Sequence, residues 1–137
     1  MTQEDKELLL KDLCARLPYG VKLQSYSYEE DIETIETLRE IDSDGYISTL
    51  ECDTLKNISK PYLFPLSSMT EEQKKYISDR WGINEDFDFE IDPNWGEYFV
   101  DLGDAVGFIN WLNENHFDYR GLIPMGLAKD ATGLNIY

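Results

Sequence analysis

Residues 81–119 read WGINEDFDFEIDPNWGEYFVDLGDAVGFINWLNENHFDY and combine bulky aromatic side chains with acidic charge. The segment holds all three tryptophans, five of the six phenylalanines and ten of the 28 acidic residues, but no lysine or arginine. Aromatic side chains bury a large apolar area, whereas carboxylates must stay hydrated or meet a cation. We therefore predict that this segment supplies much of the core and also an acidic surface.

Within this segment, residues 86–92 alternate strictly between acidic and apolar types. Because successive side chains of a strand point to opposite faces, the pattern predicts a half-buried strand with an acidic outer face. The chain is then expected to turn at Pro93, and residues 98–100 can pair back. A helix is predicted from residue 102 to about residue 115. Its expected inward stripe consists of Ala105, Phe108, Ile109, Trp111 and Leu112.

Two further helices are predicted from their capping signals. Thr2 and Asp5 resemble a capping box, and leucines recur at three- and four-residue spacing over residues 3–16. Thr70 and Gln73 form a second capping box, before a helix that is expected to end at Gly82. In each box a side chain satisfies a backbone N–H that has no partner within the helix. The first helix is therefore N-terminal, and the second lies in the middle of the chain.

The residues between these two helices are predicted to form a small sheet. Residues 21–28 have a strand pattern, and residues 31–51 predict a hairpin because two arms rich in Ile, Thr and Leu flank Asp44 and Gly45. Residues 60–66 contain two prolines four positions apart, which excludes a helix and predicts an extended packed connector. The expected fold class is α+β, with a single domain over residues 1–137. It contains a small antiparallel β-sheet or partly open barrel, an N-terminal helix and two further helices.

Residues 40–51 also fit the calcium-binding loop of an EF-hand, with Gly45 at its invariant sixth position. The ligands would come from Glu40, Asp42, Asp44, Ser48 and Glu51. Glu40 is longer than the Asp expected at the first position, and no amphipathic helix is indicated after the loop. We therefore favour the plain hairpin and predict no metal and no cofactor. A Ca²⁺-binding domain is the alternative interpretation.

The composition excludes several classes of partner. A net charge of −16 and a pI near 4.2 argue against direct binding of nucleic acid and of anionic membranes. No apolar run reaches about 18 residues, and no basic segment precedes an apolar one near the start. The two cysteines show no CxxC spacing and are expected to be reduced thiols. We expect a cytoplasmic protein that does not contact a membrane.

His116 is the single histidine and the only candidate for general acid–base catalysis. No serine or cysteine stands in a known nucleophile motif. A histidine that interacts with the dipole at the end of a helix is the more common arrangement. We therefore predict no catalytic residues and no enzymatic activity. A small hydrolase that works through His116 is a minority interpretation.

Three segments carry a resemblance to a known family: LCARLPYGVK at 13–22, KPYLFPLSSMTEE at 60–72, and WLN at 111–113 together with HFDYRGLI at 116–123. They are similar to a family of small acidic proteins from Bacteroides-type gut bacteria and from the phages and mobile elements that infect them. In that family the part that corresponds to residues 21–58 forms β-strands, which favours the hairpin over the calcium loop. The resemblance implies a phage or mobile-element setting, and it implies no activity and no site residues.

Acidic surfaces can steer and complement basic protein surfaces. We therefore predict a non-catalytic binding protein that docks on a basic protein surface. The predicted acidic face consists of Asp86, Asp88, Glu90, Asp92, Glu97 and Asp101. In a phage setting the partner would be a nucleic-acid-binding host protein, with carboxylates in place of phosphates, so that the chain acts as an inhibitor or nucleic-acid mimic. A purely structural role, in which the charge only maintains solubility, is a further alternative.

Overall fold

The computed structural model describes residues 2–27, 32–41, 47–49, 60–87 and 102–137. Within these ranges the chain forms three α-helices, α1 (Gln3–Arg16), α2 (Glu71–Trp81) and α3 (Leu102–Glu114). The strands are β1 (Lys22–Ser27), β2 (Ile32–Ile41), β3 (Ile47–Thr49), β4 (Lys60–Pro65), β5 (Phe117–Asp118) and β6 (Lys129–Asp130). An N-terminal helix, two further helices and an open sheet confirm the predicted α+β class.

The sheet follows the order β3-β2-β1-β4-β5, and β6 also pairs with β4. β1 and β2 form a regular antiparallel pair, and β1 joins β4 through Leu23 opposite Pro61. β5 and β6 run parallel to β4. The sheet is therefore mixed, whereas the sequence patterns predicted antiparallel pairing only. Parallel pairs join segments that are distant in the chain, and no local turn signal reports them.

The predicted hairpin is confirmed in its two arms. β2 and β3 pair antiparallel with Ile41 opposite Ile47, and a register shift lies between Leu38 and Glu40. Residues 42–46, which include the predicted Asp44-Gly45 turn, lie outside the described residues. The arms therefore support the hairpin, and the type of turn stays a prediction.

β4 occupies most of the segment that was predicted to be an extended connector. Its Phe64 N–H donates to the carbonyl of His116 at 2.8 Å, and its Leu63 carbonyl accepts from the N–H of Ala131 at 2.8 Å. These bonds leave β4 on opposite edges, because the Leu63 carbonyl and the Phe64 N–H belong to one trans peptide group, in which C=O and N–H point in opposite directions. The two prolines, at 61 and 65, do not interrupt either bond. An extended conformation was therefore correctly predicted, but its place inside the sheet was not.

The capping predictions are confirmed. Thr2 and Asp5 form a reciprocal capping box at the start of α1, and Thr70 and Gln73 form one at the start of α2. Gly82 ends α2 in the left-handed region with φ of +67°, which favours glycine because a Cβ is strained there.

The core has two parts that meet at β4 and β5. The first lies between α1 and the sheet and contains Leu9, Leu13, Val21, Leu23, Leu38, Leu63, Leu122, Leu127 and Ala128. The second lies between α2 and α3 and contains Met69, Ile77, Ile83, Phe108, Leu112 and Phe117. Phe108 and Leu112 confirm the predicted inward stripe of α3, but Ile109 is 38% exposed. Trp111 also packs against this core by its ring, as predicted, so the stripe departs from the prediction at Ile109.

Gly107 allows α3 to approach the indole of Trp81. A Cβ at this position would lie 3.0 Å from Nε1 of Trp81, whose ring is held by Tyr76 and Trp111. Alanine normally stabilises a helix interior by about 1 kcal/mol relative to glycine, whereas overpacking costs about 1–3 kcal/mol. We expect Gly107→Ala to lower the free energy of unfolding by about 1 kcal/mol, measured by urea denaturation.

The control is Asn110→Ala at an exposed position of the same helix. This change should be neutral or slightly stabilising, because only helix propensity changes there. If Gly107→Ala raised stability by the same amount as the control, the close approach of Trp81 would be irrelevant to packing.

Candidate functional site

A group of polar and charged side chains lies between the two parts of the core, and five of these side chains are buried. Buried members come from α1, from the end of α3 and from the residues that follow it. Three less buried neighbours complete the group, Tyr119, Arg120 and Tyr137. We call the whole set the polar cluster: Asp12, Arg16, Asn113, His116, Asp118, Tyr119, Arg120 and Tyr137.

Asp12 is the anion that holds the cluster together. Its Oδ2 lies 2.8 Å from Nε of Arg16, and both side chains are fully buried. Its Oδ1 lies 3.3 Å from Nε of Arg120. Arg16 also donates from Nη2 to the carbonyl of Phe117 at 2.6 Å. Asp12 therefore links α1 to Arg120 directly, and Arg16, which is held by the same carboxylate, links α1 to Phe117.

Tyr119 and Asp118 fix the chain that follows β5. The guanidinium groups of Arg16 and Arg120 lie 5.3 Å and 5.1 Å from the centre of the Tyr119 ring, within the range of cation–π attraction. The Asp118 carboxylate accepts the N–H groups of Leu122 and Ile123 at 2.8 Å and 2.9 Å. Because buried N–H groups need acceptors, this carboxylate determines the path of the turn.

His116 follows α3 with a φ of +62°, a conformation that usually requires glycine. Its ring stacks on that of Tyr137, with centroids 3.7 Å apart and planes at 14°. Burial, and then the positive charges of Arg16 and Lys22, lower the pKa of His116 to about 4. The imidazole is therefore neutral at pH 7. The predicted interaction of a charged histidine with the helix dipole is wrong, because desolvation and two nearby cations oppose protonation.

Four buried atoms of the cluster have no hydrogen-bond partner among the described residues: Oδ1 of Asp12, Nη1 of Arg16, Nδ1 of His116 and Nε of Arg120. Two of these atoms, Oδ1 of Asp12 and Nε of Arg120, face each other as the ion pair at 3.3 Å. A neutral imidazole with a pKa near 4 is a weak general base at pH 7. The guanidinium of Arg16 is already held by Asp12 and by a carbonyl. The geometry of the cluster therefore favours a role in holding α1, β5 and the following turn together.

Tyr137 closes the cluster at the surface. Its hydroxyl accepts from the N–H of Lys22 at 2.8 Å and donates to the carbonyl of Tyr62 at 2.7 Å. Burial raises the pKa of Tyr137, so the phenol is protonated at neutral pH. These two bonds hold the last residue of the sequence against β1 and β4. No local pattern could have shown these contacts, because they span 115 and 75 residues of sequence.

Asp86 is the only member of the predicted acidic face that lies within the described ranges. It is exposed and lies in a turn after α2, where its N–H donates to Oδ1 of Asn84 at 2.9 Å. Phe87, with φ of +61°, is also outside a strand. The predicted strand therefore does not begin at Asp86. The other five members, Asp88, Glu90, Asp92, Glu97 and Asp101, lie outside the described residues.

The alternative calcium loop is described only in part. Glu40 is exposed near the end of β2 and Ser48 lies in β3, whereas Asp42, Asp44 and Glu51 lie outside the described residues. An EF-hand needs helices on both sides of its loop, and strands lie before and within this one. The part of the chain that the structure describes contains no group of three or more His, Cys, Asp or Glu residues that could hold a metal ion. Calcium binding stays a hypothesis that a calorimetric titration can test.

Comparison of the chain with models of protein families, with curated proteins and with solved structures finds no match. None of the helices within the described ranges is long and apolar enough to cross a membrane.

Proposed function

We propose that the protein is a non-catalytic binding protein whose acidic surface docks on a basic surface of another protein. The observation that carries the proposal is the uncompensated charge of residues 81–119, which contain ten acidic and no basic residues. Carboxylates of this kind favour a cationic partner because they are costly to dehydrate without one. Segregated charge also accelerates the encounter with an oppositely charged surface.

The ion pairs of the described structure are consistent with this proposal. All four use Asp12, Glu71 or Asp79 as the acidic partner, so within the described ranges none involves an acidic residue of 81–119. Glu85, Asp86 and Glu114 belong to that segment and are exposed. Two of the arginines, Arg16 and Arg120, are engaged with Asp12 instead.

The distribution of charge along the chain also supports an acidic docking surface. Residues 85–104 hold eight of the 28 acidic residues and no basic residue. All six residues of the predicted acidic face are among those eight. Much of the excess negative charge is therefore concentrated in one short segment of the sequence.

The partner that fits such a surface is a protein that binds nucleic acid. Such proteins present lysine and arginine to phosphates, and carboxylates can occupy the same positions. The resemblance to phage and mobile-element proteins supplies a setting in which a host protein of this class would be inhibited. The proposed role is therefore that of a nucleic-acid mimic that competes with DNA or RNA.

The proposal is tested with the immobilised full chain and the polyanion-binding proteins that heparin retains from a bacterial lysate. We expect at least one of them to bind at low salt, to elute as salt rises and to be displaced by double-stranded DNA. In the key variant the six residues of the acidic face are changed to Asn or Gln. At roughly 0.5 kcal/mol per carboxylate, its Kd for that protein should rise about 100-fold.

The matched control changes six exposed acidic residues elsewhere, namely Glu4, Glu7, Glu33, Glu40, Glu71 and Glu72, to Gln. Both variants have the same net charge, so a general effect of charge would weaken them equally. The proposal requires the control to bind within about threefold of the unmodified chain. Equal losses in the two variants, or binding that salt does not weaken, would contradict it.

A further inference from the structure

β1 and β4 separate at the point where Tyr137 enters. Their antiparallel ladder pairs Gln24 with Lys60 and Leu23 with Pro61. The same register continued by one step would place Lys22 opposite Tyr62. The Tyr137 hydroxyl lies between these two residues instead, bonded to the N–H of Lys22 and to the carbonyl of Tyr62.

Two aromatic rings, those of His116 and Phe64, also surround the phenol of Tyr137. We call the site formed by these rings, the Lys22 N–H and the Tyr62 carbonyl the phenol slot. The His116 ring stacks on the phenol at 3.7 Å, and the Phe64 ring lies 5.8 Å away at 55°. A hydroxyl group can accept one hydrogen bond and donate another at the same time. The slot therefore matches both the ring and the hydroxyl of a phenol.

The rest of the C-terminal segment contributes little to holding Tyr137. Ala131 is buried, whereas residues 132–135 are exposed. Thr132 bonds only to Asp130 among the side-chain contacts of this segment, and Asn135 has a left-handed φ of +52°. The phenol of Tyr137 therefore makes the main contacts that hold residues 132–137 against the sheet, and we call these residues the tether.

We propose that the phenol slot is a recognition site for a tyrosine side chain, occupied in this structure by the chain's own Tyr137. The tether keeps Tyr137 at a high effective concentration, so the site is closed until the segment after Ala131 is drawn away. A tyrosine from a partner can then take the same two hydrogen bonds and the same stacking surface. This inference is independent of the acidic face.

The test uses the full chain with Tyr137→Ala and p-cresol as the probe. We expect the variant to lose about 5 °C in Tm, because two hydrogen bonds and a stacked ring are removed. Millimolar p-cresol should restore about half of that loss and should leave the unmodified chain unchanged. Toluene, which lacks the hydroxyl, should restore less.

A second readout follows the ring of His116, the single histidine of the chain. Its NMR signals should shift when the slot is emptied and return as p-cresol saturates the site. Tyr137→Phe, which keeps the ring, should have a Tm between those of the alanine variant and the unmodified chain.

The matched control is Tyr76→Ala, because Tyr76 also stacks in an aromatic group and is similarly exposed, at 48% against 42% for Tyr137. p-Cresol should not restore this variant and should not move its His116 signals. If p-cresol raised the Tm of both variants equally, or of neither, the slot would not be a phenol site.

Discussion

Asp12→Ala is expected to lower the free energy of unfolding by about 3–5 kcal/mol, the range observed when one partner of a buried ion pair is removed. Asp12 and Arg16 are both fully buried, and Arg120 also lies against the same carboxylate. Removal of the anion leaves two guanidinium groups without their counter-charge between the two parts of the core. Urea denaturation monitored by tryptophan fluorescence would measure the loss.

The chain contains a control with nearly identical geometry. Lys75 and Asp79 form an ion pair at the same four-residue spacing and at 2.7 Å, but their side chains are 76% and 65% exposed. Exposed pairs contribute little because water screens them. Asp79→Ala should therefore leave the free energy of unfolding nearly unchanged. Comparable losses in the two variants would mean that burial does not determine the strength of the Asp12 pair.

Stability is expected to fall by about 2 kcal/mol as the pH is lowered from 6.5 to 4, because of His116 alone. Its pKa is 6.5 in the unfolded chain and about 4 in the fold, so the unfolded chain binds more protons between these values. The full stabilisation is present above pH 6.5 and is lost as the pH falls toward 4. The full pKa difference corresponds to roughly 3 kcal/mol of stability. The expected loss is smaller, at about 2 kcal/mol, because Lys22 is partly exposed and water screens its charge.

The measurement is the difference in pH dependence between the unmodified chain and His116→Asn. Asparagine tolerates the left-handed backbone and does not titrate, so the many carboxylates contribute equally to both proteins. NMR titration of the single histidine gives its pKa directly. A pKa near 6.5 in the folded protein would show that Arg16, Lys22 and burial do not act on the ring as described.

The accuracy of the sequence predictions depended on how far apart the interacting residues lie. The capping boxes at Thr2 and Thr70 were predictable because donor and acceptor are three residues apart. The hairpin arms were predictable because segments rich in Ile, Thr and Leu directly flank a turn signal in the chain. β4 was missed as a strand, because its parallel partners lie more than 50 positions further along.

In the candidate site, too, the features that depend on distant parts of the chain were not predictable from the sequence. His116 was recognised as the single candidate for acid–base catalysis, but the lowering of its pKa was not predictable, because it depends on burial and on the charges of Arg16 and Lys22, which come from α1 and β1. Asp12 and Arg16 lie four residues apart on α1, and this spacing alone does not show that the fold buries both side chains. The acidic face stays a prediction, since five of its six residues lie outside the described ranges.

The amino-acid sequence by itself determined the helix boundaries, the α+β class and the excess of negative charge, because each depends on neighbouring residues or on composition. Only the tertiary structure decided the mixed pairing of the sheet, the burial of the Asp12 ion pair and the position of Tyr137. These features depend on which distant segments come together, and hydrogen bonds and ion pairs change their strength when water is removed around them.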